Sequence, residues 1–128
     1  MKVIIADDSN TIRRIEQNML ADLGHTDVLF ADGGDVVMEL LKEHKDVCLV
    51  LMDWNMPVMN GLDCLKAIRA APETCKLAVV MVTSEALLER IRVAVQCGAT
   101  NYLVKPFEFE KFKQVVGGIL GQSVPESR

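Results

Sequence analysis

Basic residues are in short supply in this 128-residue chain. It has 14 lysines and arginines against 18 aspartates and glutamates, for a net charge of −4. A general nucleic-acid binder usually carries a basic face, so that class is disfavoured. Long apolar runs are also missing: the longest have only strand length, whereas a membrane span needs about 20 residues. Met1-Lys2 leads at once into an apolar run, with neither the apolar stretch nor the small-residue cleavage site of a secretory signal. A cytoplasmic location is the default expectation. Cys48, Cys64, Cys75 and Cys97 form no Cys-x-x-Cys pair, and Cys48 reads as a small core hydrophobe. His25 and His44 fall in no metal-ligand spacing and read as surface residues, so zinc has no support. What remains is half apolar and a quarter charged, as in an ordinary globular domain with a core of its own.

Four apolar runs end in polar groups. Lys2-Val3-Ile4-Ile5-Ala6 runs into Asp7-Asp8, and Val47-Cys48-Leu49-Val50-Leu51-Met52 into Asp53. Leu77-Ala78-Val79-Val80-Met81-Val82 runs into Thr83-Ser84, and Tyr102-Leu103-Val104 into Lys105-Pro106. Continuous runs of this kind are the mark of strands buried on both faces in a parallel sheet. Parallel strands would gather Asp7, Asp8, Asp53, Thr83 and Lys105 at one carboxyl edge, where open α/β sheets bind ligands.

Stretches of helical period separate these runs. The first helix is expected over about Thr11 to Leu23, with Ile12, Ile15, Met19 and Leu23 inward, a Ser9 or Asn10 cap, and Gly24 as its stop. Thr26 to Ala31 reads as an edge strand, followed by the turn Asp32-Gly33-Gly34-Asp35. A second helix carries Val36, Val37, Leu40 and Leu41. After Asp53, Pro57 to Asn60 form a loop, and Gly61 permits a tight bend. The third helix carries Leu62, Leu65 and Ile68 and stops at Pro72. The fourth runs from about Glu85 to Gln96 with Leu88, Ile91 and Val95 inward; Leu87 and Val93 spread its apolar residues beyond one face. The last strand covers about Asn101 to Val104. The fifth helix carries Phe112, Val115, Val116 and Ile119 and ends near Gly121. Residues 1–121 therefore read as one domain, and Gln122 to Arg128 as a flexible tail. Five strands alternating with five helices make a doubly wound α/β sheet with helices on both faces.

Each polar group alone has a plainer explanation: Asp-Asp as a capping turn, Thr-Ser as a helix cap, Lys-Pro as a turn. Their common position at successive strand ends favours a joint role. Three carboxylates in one pocket repel each other unless a proton or a cation sits among them. An all-oxygen set suits a hard ion, Mg²⁺ or Mn²⁺, with valences left for a phosphoryl group. Lys105 and the Thr83 hydroxyl add donors for phosphoryl oxygens. Asp53 is the candidate nucleophile, because a carboxylate can form an acyl phosphate.

Asp7-Asp8, Asp53 with Met56-Pro57 and Gly61, Thr83, and Lys105-Pro106 together resemble the motif set of response-regulator receiver domains, from Lys2 to about Leu120. Asp53-Trp54-Asn55-Met56-Pro57, Met81-Val82-Thr83 with Glu85, and Tyr102 before Val104-Lys105-Pro106-Phe107 are most similar to that family's chemotaxis regulators. The resemblance implies strand order 2-1-3-4-5 and a phosphoryl group accepted by Asp53 from a histidine kinase of the CheA type. It implies Mg²⁺ on Asp8, Asp53 and the backbone carbonyl of Asn55, with Asp7 acting through water. Lys105 would bridge to the phosphate, helped by a cis peptide before Pro106. Thr83 and Tyr102 would switch, and Asn55 and Glu85 would tune hydrolysis. The plainer reading makes Tyr102 a half-buried aromatic and Asn55 and Glu85 solvated loop residues. Trp54 is expected beside the metal, and Ser84 as a helix cap or a competing hydroxyl. A monomer is expected, with no nucleic-acid or membrane partner. Its target, such as a flagellar motor switch protein, would bind the helix 4–strand 5–helix 5 face. A phosphorelay shuttle feeding a histidine phosphotransfer protein shares the same residues. An FMN carrier would need phosphate-binding amides where Asp7-Asp8 stand, and a small-molecule phosphatase would need a cap that no insertion is long enough to form.

Overall fold

The computed structural model describes residues 2–84 and 88–120. Strands and helices alternate without interruption: β1 (Lys2–Ala6), α1 (Asn10–Asp22), β2 (Val28–Ala31), α2 (Gly34–Glu43), β3 (Val47–Asp53), α3 (Gly61–Ala70), β4 (Ala78–Thr83), α4 (Leu88–Gln96), β5 (Asn101–Val104) and α5 (Phe109–Leu120). All strand pairs are parallel, in the order β2-β1-β3-β4-β5. The expected doubly wound sheet and its order are thus observed.

The alternation of side chains along each strand divides the core in two. Ile4, Val50, Met52, Val79 and Met81 point to one face and pack with Val37 and Leu41 of α2, Leu65 and Ile68 of α3, and Ala94 of α4. Val3, Ile5, Leu49, Leu51, Val80 and Val82 point to the other and pack with Leu20 of α1 and Phe112, Val115 and Val116 of α5. The unbroken apolar runs in the sequence follow from this double coverage. Helix ends obey local chemistry. The Ser9 Oγ accepts the Ile12 amide at 3.3 Å, and the Asn60 Oδ1 accepts the Asp63 amide at 2.8 Å. Gly24, at φ 91°, supplies the left-handed stop after α1.

Three expectations of side-chain placement need correction. On α1 the buried residues are Glu16 and Leu20, while Ile15 is 41% exposed; Ile12, Met19 and Leu23 are half-buried. On α4 Ala94 is buried, while Leu88 and Val95 are 66% and 56% exposed. In both helices the buried face is rotated away from the stripe of large apolar residues. Glu16 beside Leu20 on α1, and Ala94 on α4, take the buried positions because packing geometry overrides the pattern. His25 and His44 are half-buried rather than on the open surface. The start of the fourth helix at Glu85, the extra apolar Leu87, and the tail Gln122 to Arg128 lie outside the described residues.

Candidate functional site

The carboxyl ends of β1, β3, β4 and β5 place Asp7, Asp53, Thr83 and Lys105 together. Lys105 follows β5, and its backbone amide donates to the Thr83 carbonyl at 2.7 Å. Its ammonium donates to the Asp7 Oδ2 at 2.9 Å and to the Asp53 Oδ1 at 3.2 Å. The peptide between Lys105 and Pro106 is cis, as expected. Asp7, Asp53 and Thr83 are buried, and Asp8 is exposed beside them. Asp7 is held tightly: its Oδ1 accepts the Ser9 amide at 2.9 Å, and its backbone carbonyl accepts the Arg13 guanidinium at 2.5 Å.

The electrostatics follow from this packing. Burial pushes the Asp53 carboxyl above the usual aspartate range; Asp7 pushes the same way, and Lys105 opposes both. Burial alone would lower the Lys105 ammonium, but the hydrogen bond to Asp7 and the charge of Asp53 outweigh it and raise the group. Asp7, Asp8 and Asp53 each offer an oxygen, all within 4.8 Å of one another. Lys105 pairs with Asp7 and Asp53 of this trio, and one ammonium against three carboxylates leaves a negative remainder. Oxygen donors with that remainder fit a hard divalent ion.

The loop after Asp53 is built for close approach. A Cβ on Gly61 would lie 2.1 Å from the Asp53 carbonyl oxygen. Glycine is needed there for space, since its φ is not positive. The Gly61 amide donates to the Trp54 carbonyl at 2.8 Å, and the Trp54 amide donates to the Val82 carbonyl at 3.1 Å. Val58, at the exposed tip, takes φ 68°. The Trp54 ring is nearly buried, and the Arg90 guanidinium lies 4.9 Å from its centroid.

Asn55 is exposed in the same loop, and Tyr102 is half-buried, paired with Met81 in the sheet. Glu85 lies outside the described residues. Ser84 is exposed and joins Ile12, Ile15, Lys105, Pro106 and Phe107 around an open cleft. Sequence reasoning missed Glu16. It is 1% exposed, its Oε2 has no hydrogen-bond partner, and burial aided by Asp7 pushes its carboxyl up to about 8. Helical phase alone did not signal a buried acid.

The model of the response regulator receiver domain matches residues 3–117. The chain belongs to the response-regulator receiver family. A chemotaxis protein CheY homolog of Campylobacter jejuni is 41% identical to this receiver over 121 residues, spanning 94% of this chain and 93% of the relative. The crystal structure of the Vibrio cholerae chemotaxis protein CheY4 superposes with a TM-score of 0.83 at 30% identity, covering 92% of this chain and 97% of that one. The receiver domain of the Pseudomonas aeruginosa sensor histidine kinase PA1611, solved with a magnesium ion in its active-site cleft, shares the fold. Its TM-score is 0.83 at 22% identity, covering 94% and 97% of the two chains. No described helix of this receiver is long and apolar enough to cross a membrane.

Proposed function

We propose that this receiver is a single-domain response regulator of a two-component pathway, switched by phosphorylation of Asp53. The observation that carries the reading is the ammonium of Lys105 held against both Asp7 and Asp53 at the carboxyl edge of the sheet. A carboxylate oxygen of Asp53 attacks the phosphorus of a phosphohistidine on a kinase of the CheA type. The O–P bond forms, the N–P bond breaks, and the electron pair returns to the imidazole. Lys105 stands where phosphoryl charge gathers, and the buried Thr83 hydroxyl can turn to donate to it. Asp8, Asp53 and the Asn55 carbonyl would hold Mg²⁺ directly, with Mn²⁺ as an alternative; the bound ion supplies neutralising charge for the phosphoryl oxygens. Asp7 acts through a bound water, consistent with its two carboxylate oxygens already accepting from Ser9 and Lys105.

The acyl phosphate is read as a shape change. Thr83 moves toward the phosphoryl group and Tyr102 turns inward behind it, and together they bias the face of α4, β5 and α5. Asn55 and Glu85 set how readily water hydrolyses the mark; substituting either is expected to change acyl-phosphate lifetime more than metal affinity. The protein is not an enzyme with a separate substrate: it assists only its own phosphorylation and hydrolysis. It works in the cytoplasm as a monomer and acts by binding a protein.

Chemotaxis or motility is the pathway favoured by the relatives, with the flagellar motor switch as target. The direct test is phosphotransfer from a phosphorylated CheA-type kinase. Wild type is expected to drain the kinase and Asp53→Asn to leave it phosphorylated; equal transfer to both would refute the assignment. Capture with the phosphorylated protein should recover a motor component, and recovery of a histidine phosphotransfer protein would establish the relay shuttle instead.

A further inference from the structure

Among the described residues of α4, only Ala94 is buried, and both Leu88 and Val95 face outward. Val93 and Cys97 add partial packing toward the other end of the helix. In its first turn, one tie to the body of the protein is the Arg90 guanidinium stacked 4.9 Å from the Trp54 ring centroid. That ring belongs to the residue immediately after Asp53. Its own backbone is anchored on both sides, by the Val82 carbonyl and the Gly61 amide. The stack therefore joins a lightly held helix to a firmly held loop at the acceptor site.

We propose that Arg90 is a positioning residue that latches the first turn of α4 onto Trp54 and lets go when Asp53 carries a phosphoryl group. The proposal rests on Asp53 being the acceptor. An acyl phosphate brings about one more negative charge than the carboxylate it replaces. Lys105 is already shared between Asp7 and Asp53, and with a divalent ion it would only balance the three carboxylates, so the added charge is incompletely met. A guanidinium bonds a phosphoryl oxygen more strongly than it stacks on an aromatic ring near the surface. Arg90 leaves the ring for the anion, and the first turn of α4 loses its hold. Few buried contacts resist the movement, which marks this helix as an element that opens at low cost.

Trp54 is the only tryptophan in the chain, so its emission reads the stack directly. Emission is recorded at constant Mg²⁺ with and without acetyl phosphate, with the gain of one phosphoryl mass checked on each sample. Wild-type emission is expected to change on phosphorylation. Arg90→Ala should already show the altered emission before phosphorylation and change little afterwards, while Arg90→Lys keeps part of the wild-type response. Amide exchange in the first turn of α4 should be roughly two- to five-fold faster in unmodified Arg90→Ala than in wild type. Circular dichroism confirms that both variants are folded. Wild-type emission, response and exchange in folded Arg90→Ala would overturn the latch. Phosphoryl mass on wild type with unchanged emission would overturn release while leaving the proposed function standing. Absence of that mass would overturn the function and the release step together.

Discussion

Glu16 is a buried acid with an unsatisfied oxygen. Its carboxyl is buried, with Asp7, Asp53 and Lys105 as its charged neighbours, and its Oε2 has no hydrogen-bond partner. Burial lifts it from 4.5 to about 8, so the folded protein keeps a proton that the unfolded chain gives up between those values. Stability attached to that proton is complete below pH 4.5 and declines as pH rises towards 8. At about 1.4 kcal/mol per unit, the loss by pH 7 is on the order of 3 kcal/mol. Glu16→Gln should match wild type in chemical denaturation at acid pH and exceed it by on the order of 3 kcal/mol near pH 7. Parallel pH profiles for the two proteins would contradict the assignment of a buried neutral acid. Two residues of the Asp53 loop give sharper steric tests. Gly61→Ala forces a Cβ against the Asp53 carbonyl, a backbone atom that cannot swing aside. Thermal unfolding should show a loss on the order of 3 kcal/mol. Val58 is β-branched yet holds φ 68° at an exposed tip. Val58→Asn should stabilise the protein by about 1 kcal/mol in the same assay, since asparagine tolerates that backbone better.

At the scale of elements, α4 separates what pattern can tell from what packing decides. Leu88, Ile91 and Val95 have helical spacing, which reads as an inward face. The structure instead turns Ala94 to the sheet and leaves Leu88 and Val95 outward. The small alanine joins the core cluster, and the larger residues are left on the outer side of the helix. Leu88→Ser should therefore cost under about 0.5 kcal/mol, whereas Ala94→Leu should cost about 1–3 kcal/mol by overpacking. Denaturant midpoints for the pair check this, and the reverse order would restore the sequence-based face. The same ambiguity arises on α1, where Ile15 and Glu16 are adjacent and only the crossing angle on the sheet selects which is buried. The buried strands β1, β3 and β4 are plainer in the sequence, because coverage on both faces leaves apolar runs of strand length, rich in β-branched residues. Edge strand β2 begins at Val28, two residues after the Thr26 start that the sequence suggests, and Thr26 and Asp27 are exposed.

For the whole molecule, the decisive arrangement is the meeting of four strand ends. Asp7, Asp53, Thr83 and Lys105 are far apart in sequence, and parallel pairing alone brings them to one rim. That convergence was legible before any coordinates, because each polar group directly follows an apolar run. The hydrogen bonds that share Lys105 between two carboxylates were not, nor was the Arg90 stack on Trp54, since both depend on side-chain paths across helices and loops. Trp54 should report the metal as well: a change in emission on adding Mg²⁺ is expected, and no change at saturating Mg²⁺ would remove the ion from its neighbourhood. The central claim is that Asp53 is the group modified. It is tested most directly by intact-mass measurement after incubation with acetyl phosphate and Mg²⁺. Wild type should gain the mass of one phosphoryl group and Asp53→Asn none; equal gain in both proteins, or none in wild type, would contradict the account.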